Sequence, residues 1–100
     1  MVEGLKDKVV IVTGGGHGIG RAYCLGFGQA GSRVVVADID EPAADQVSAE
    51  VMQQNGAQAL ALHTDVADEK STKEMAAAVM QHFGRVDVLI NNAAIFATVP

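Results

Sequence analysis

Tryptophan is absent from these 100 residues, tyrosine occurs once and phenylalanine three times. So few rings argue against an aromatic-rich binding surface. Cysteine also occurs once, as Cys24. One thiol cannot close an internal disulfide, and no set of metal ligands accompanies it. Lys and Arg together number 7 against 12 Asp and Glu, and the basic residues are scattered. With a net charge of -5, nothing attracts a polyanion, so a nucleic-acid partner is excluded. No apolar run approaches the ~18 residues that span a bilayer. The start, Met1 to Lys8, is charged and lacks the apolar core of a secretion signal. A cytoplasmic protein with no membrane partner is therefore expected.

What is present is 49% hydrophobic sequence with 11 glycines. That suits close packing of helices on a sheet. A single domain is expected over residues 1–100, with somewhat more than ~60% of its unfolded surface buried. Along the chain, apolar strands alternate with helical patterns. Val9–Val12 is a β-branched run, and a glycine cluster follows it. Ile19, Ala22, Tyr23, Gly26, Phe27 and Ala30 recur at helical spacing and predict a buried helix face, with Tyr23 in the core. Gly31 ends that helix. Val34–Ala37 is a second strand, closed by Asp38. Asp40 caps the next helix, Pro42 stands in its first turn, and Ala44, Val47 and Val51 face inward. Asn55-Gly56 stops it. A weaker strand spans Ala57–His63. Asp68 caps a third helix with Ala76, Val79, Met80 and Phe83 inward, and Gly84 ends it. Met52, Met75 and Met80 are expected to be packing residues. Val86–Ile90 is a fourth strand.

The order βαβαβαβ implies an α/β fold with a parallel sheet covered on both faces. Right-handed crossovers put the first two helices on one face and the third on the other. The strand order is then 3-2-1-4, with the fourth strand at an edge although its sequence reads as interior. An exposed edge of that kind invites association. A piece ending at Pro100 is expected to be unstable or aggregated on its own.

The joint between the first strand and helix reads Thr13-Gly14-Gly15-Gly16-His17-Gly18-Ile19-Gly20. A helix N-terminus carries unpaired N–H groups and partial positive charge. A phosphate can settle there if no Cβ blocks it. Gly14 is expected to form the sharp turn, Gly18 to let the backbone approach a diphosphate, and Gly20 to pack the helix close to the strand.

The spacing T-G-x-x-x-G-x-G resembles the cofactor loop of the short-chain dehydrogenase/reductase family, in its classical branch. Asp65-Val66 after the third strand matches that family's D-V pair. Phe83 to Ala94 resembles its F-G-x-x-D-x-L-x-N-N-A-G segment, with Ala94 where glycine is usual. The resemblance covers essentially the whole chain. It implies a Rossmann-type doubly wound sheet, of which residues 1–100 are the N-terminal, NAD(P)-binding portion. It also implies hydride transfer between a nicotinamide cofactor and an alcohol or carbonyl substrate, and a homo-oligomer at full length. Gly14, Gly16, His17, Gly18, Ile19 and Gly20 would form the cofactor loop, and Asp38 and Ile39 the adenosine side. Asp65 would meet the adenine amino group and Val66 its ring. Asn91, Ala93 and Ala94 would line the nicotinamide-side ribose. The family's catalytic Ser and Tyr-x-x-x-Lys would lie beyond residue 100, because Tyr23 has Phe27 where the lysine belongs.

Asp38 lies about 20 residues beyond the glycine loop, where a carboxylate accepts the ribose hydroxyls of NAD and repels the 2′-phosphate of NADP. Asp40 is the better helix cap, which leaves Asp38 for the ribose. His17 stands where NADP-preferring relatives often carry a basic residue. Histidine is mostly neutral at pH 7, so NAD is expected over NADP. Two other readings remain open from sequence. One is a non-catalytic NAD-binding module. The other is a methyltransferase using S-adenosylmethionine, disfavoured by the Thr13-Gly14 start and by Asn91-Asn92-Ala93-Ala94. Cys24 reads as a small inert residue.

Overall fold

The computed structural model describes residues 4–54 and 56–93. Strands β1 (Val9–Thr13), β2 (Arg33–Asp38), β3 (Ala59–His63) and β4 (Val88–Asn91) alternate with helices α1 (Gly18–Gln29), α2 (Glu41–Gln53) and α3 (Glu69–Phe83). The strands form one parallel sheet in the order β3-β2-β1-β4, the order expected of a doubly wound sheet. Ile11 pairs with Val35 on one side and Leu89 on the other.

β1 and β2 carry apolar residues at nearly every position because both their faces are covered. Val10, Val12, Val34 and Val36 meet Cys24 of α1 and Ala44, Val47 and Val51 of α2. Val9, Ile11, Val35 and Ala37 meet Met75 and Val79 of α3 on the opposite face. α2 has the expected cap, since the Asp40 carboxylate accepts from the Ala43 amide. Asp68 caps α3 through the Lys70 amide, and Gly84 closes it in the left-handed conformation at φ 76°. Asn55 lies outside the described residues. Among the described residues, no helix is long and apolar enough to cross a membrane.

The helix faces differ from the periodicity reading. α1 buries Gly20, Cys24 and Gly28, whereas Ile19 is 68% and Tyr23 44% exposed. Tyr23 is thus an outer-face residue. The reason is distance. A Cβ on Gly28 would stand 2.7 Å from Val51 Cγ1, and one on Gly20 would strike the β1–α1 turn. Only small residues fit so close an approach. In α3 the inner row is Met75 and Val79, with Phe83 half-buried, while Ala76, Met80 and Met52 of α2 are exposed. β3 begins at Ala59, because the Ala57 amide closes a turn onto the Gln54 carbonyl.

β4 begins at Val88 rather than Val86 and lies at the sheet edge, with Leu89 57% exposed. Asp87 fastens its start to β1. Its backbone N–H donates to the Val9 carbonyl at 3.0 Å, and its Oδ2 accepts from the Val9 N–H at 2.9 Å. The Arg85 guanidinium lies 2.6 Å from Oδ1.

Two expectations follow from this packing. Gly28→Ala should crowd Val51 and destabilise the protein by roughly 1–3 kcal/mol, measured by denaturant unfolding. The Arg85 guanidinium, and next the Val9 amide, hold the Asp87 carboxyl below its ordinary value. A depressed carboxyl contributes stability that is present above its unfolded value and is lost as pH falls through the folded one. Asp87→Ala should therefore lower the melting temperature at pH 7 more than at pH 3. A loss of equal size at both pH values would contradict that assignment.

Candidate functional site

The carboxyl ends of the parallel strands converge on the glycine turn, where open α/β sheets bind ligands. Gly14 adopts φ +66°, and Gly20 packs against it: a Cβ at Gly20 would stand 2.1 Å from the Gly14 carbonyl oxygen. Gly15 is equally confined, by Cys24 Sγ, the Val12 carbonyl and Val36. A Cβ at Gly16 would meet Asp38 Oδ2 and Ala43 Cβ, each at 2.9 Å. Gly18 differs. It has φ +50°, and among the described residues nothing lies within 4 Å of where a Cβ would point. The loop is tight behind and open in front.

The start of α1 is chemically unlike the starts of α2 and α3. Its N-cap, His17, makes no side-chain cap, and no acid stands in its first turn. α2 and α3 each have an Asp cap followed by a glutamate, Glu41 and Glu69. The first amides of α1 are thus left to an outside acceptor, and the helix field favours an anion. With open space before Gly18, the residues present fit a dinucleotide's diphosphate.

Asp38, expected to be free, is already engaged. It is buried at the end of β2. Oδ2 accepts from the Gly16 N–H and Oδ1 from the Asp40 N–H, both at 2.9 Å. A carboxylate has about four acceptor sites, so two remain for ribose hydroxyls. Ile39, next along, is exposed. Asp65 follows β3, and its Oδ1 accepts from the Ala67 N–H while its own N–H donates to Ser71 Oγ. Val66 beside it is half-buried. Asn91 ends β4, and Ala93 follows; Ala94 lies outside the described residues. His17 is exposed, with Nε2 2.8 Å from Asp40 Oδ2.

Cys24 is fully buried, and its Sγ donates weakly to the Gly15 carbonyl at 3.7 Å. Burial, and then the Asp38 charge, push its thiol up to about 12. It is no nucleophile.

Thr13 and Asn92 belong to the quoted motifs, but the bonds they make escape the sequence reading. Thr13 Oγ1 accepts from the Asn92 and Ala93 N–H groups at 3.0 and 3.2 Å. Its proton goes to the Ile90 carbonyl or Asn91 Oδ1. Asn92 Nδ2 donates to the Gly14 carbonyl at 3.4 Å. Together they join the glycine turn to the end of β4. A threonine closing a strand beside a glycine run is the only sequence signal, and it does not reveal partners some 79 residues away. Thr13→Val keeps the shape but strips two amides of their acceptor. It should cost about 1–3 kcal/mol in unfolding free energy. A variant as stable as the parent would remove Thr13 from this role.

Residues 8–100 match the family model described as short chain dehydrogenase. An uncharacterized oxidoreductase of Thermotoga maritima is 44% identical over 93% of this chain, which covers 36% of that protein. A hydroxysteroid dehydrogenase structure from Escherichia coli superposes with a TM-score of 0.87 at 40% identity, over 91% of this chain and 38% of its own. A short chain dehydrogenase/reductase from Burkholderia phymatum, solved in complex with NAD, has a TM-score of 0.87 at 34% identity, over 95% of this chain and 33% of its own. The chain spans roughly a third of the length of these relatives. With the fold, the glycine turn and the family match in agreement, the chain belongs to the short-chain dehydrogenase family.

Proposed function

We propose that the protein is an NAD-dependent oxidoreductase acting on an alcohol or carbonyl substrate, and that residues 1–100 supply its dinucleotide-binding part. The observation that carries this is the uncapped start of α1, open before Gly18, standing beside a carboxylate at Asp38 that backbone amides hold in place. In this reading the amides of the Gly14–Gly20 turn hold the diphosphate. Asp38 takes the adenine-side ribose through its two remaining acceptor sites. Ile39, Val66 and Asp65 border the adenine, and Asn91, Ala93 and Ala94 the ribose next to nicotinamide. The bound nicotinamide supplies or accepts the hydride. The NAD complex of the Burkholderia phymatum relative supports this choice of nucleotide.

Preference for NAD over NADP rests on charge. A 2′-phosphate would bring a second anion against Asp38, which is fixed and cannot turn away. The residues that move the substrate's proton are not among those placed in this site. Tyr23 lies on the outer face of α1, with Phe27 four residues on.

Titration by NADH fluorescence or calorimetry tests the proposal. NADH should bind at least about tenfold more tightly than NADPH, since one poorly placed like charge costs on the order of 1.4 kcal/mol. Asp38→Ala should weaken NADH by roughly 10²-fold through the lost charge-assisted hydrogen bonds. Gly18→Glu should do at least as much, because a carboxylate suits the helix start but repels a diphosphate. Unchanged NADH affinity in both variants would overturn the assignment, as would tighter binding of S-adenosylmethionine than of NADH.

A further inference from the structure

The rim between the glycine turn and α2 carries a pair that the proposed contacts leave unused. His17 Nε2 and Asp40 Oδ2 meet at 2.8 Å across 23 residues of sequence. Both are helix N-cap residues, His17 of α1 and Asp40 of α2. Asp40 Oδ1 takes the Ala43 N–H, so one carboxylate caps α2 and holds the imidazole at once. Immediately beside this pair, Gly16 donates to Asp38, and so does the Asp40 N–H. Residues 16 and 17 of the turn therefore face residues 38 and 40 in register.

Resting on the dinucleotide reading above, we propose that Asp40, by tethering the His17 ring, is a second determinant of NAD over NADP beside Asp38. A phosphate on the 2′-oxygen of a ribose held by Asp38 would settle against this strip. Two things then oppose it. Asp40 adds a second negative charge. The Ala43 amide, and next the His17 ring, hold its carboxyl below the ordinary value, so it stays ionised at neutral pH. Asp40 also occupies the imidazole, the donor of the turn best placed to greet a phosphate. Arg21, one turn further along α1, is engaged by Glu50 of α2. In a water-like medium, a unit charge within a Debye length of a dianion opposes its binding by roughly two- to sevenfold, depending on salt.

Asp40 is thus a positioning residue, and the readout is the ratio of NADPH to NADH affinity, which a general loss of stability does not shift. Both affinities would be measured by titration for the parent, Asp40→Ser, His17→Gln and the double variant. Serine keeps the cap of α2 but is too short to reach the ring. The ratio should rise roughly three- to tenfold in Asp40→Ser, most at low salt, and part of that gain should vanish in the double variant, which lacks the freed imidazole. An unchanged ratio in Asp40→Ser overturns the proposal, and so does a gain that survives undiminished in the double variant. A parent protein that binds neither nucleotide overturns the dinucleotide reading itself, so the two failures are told apart.

Discussion

The α-carbon of Gly20 lies so near the Gly14 carbonyl that a methyl group there would stand 2.1 Å from the oxygen. The site depends on this approach. It brings the first turn of α1 directly over the end of β1, so the helix field and its unpaired amides open where the sheet's strands end. It also fixes the direction of the Gly14 carbonyl, which takes Asn92 Nδ2. A side chain at position 20 would push the helix outward, and the amides would then face no defined point.

Around that contact the sequence distributes its polar groups unevenly. α2 and α3 satisfy their first amides internally, with an aspartate cap and a following glutamate. α1 forgoes both, at a cost of about 1 kcal/mol for a missing cap. The cost is tolerable because α1 is held by its buried face against β1, β2 and α2. Asp38 is treated in the opposite way. Two backbone donors fix its carboxylate before any ligand arrives, so little ordering is left for binding.

Much of this was legible from residue order. The doubly covered strands announced themselves through Val9–Val12 and Val34–Ala37, because a strand buried on both faces has no polar alternation. The sheet order followed from right-handed crossovers together with the doubly wound fold that the resemblance implied. The Asp40 cap and the freedom of Gly18 were local features and were read locally. The joins made by Thr13 and Asn92 were not, because their partners lie far along the chain and no spacing rule links them. For the same reason Asp38 was expected to stand free: its bond to the Gly16 amide exists only once the turn has folded back over β2.

The misread helix faces have a different physical origin. Periodicity weighs each residue by its apolar size, and so favoured Ile19, Tyr23 and Phe27 for the inner side of α1. Contact with a sheet and a neighbouring helix at short range selects instead for lack of size. Gly20, Cys24 and Gly28, spaced by four, form the row that the turn, Val36 and Val51 can accept. Ile19 and Tyr23 are displaced outward by that closeness, whereas Phe27 stays half-buried against the core. In α3, no glycine row forces contact, and the inner side is made by Met75 and Val79, large residues of the ordinary kind. There the periodic reading misses at Ala76 and Met80, which are exposed, while Val79 is buried and Phe83 packs half-buried as expected.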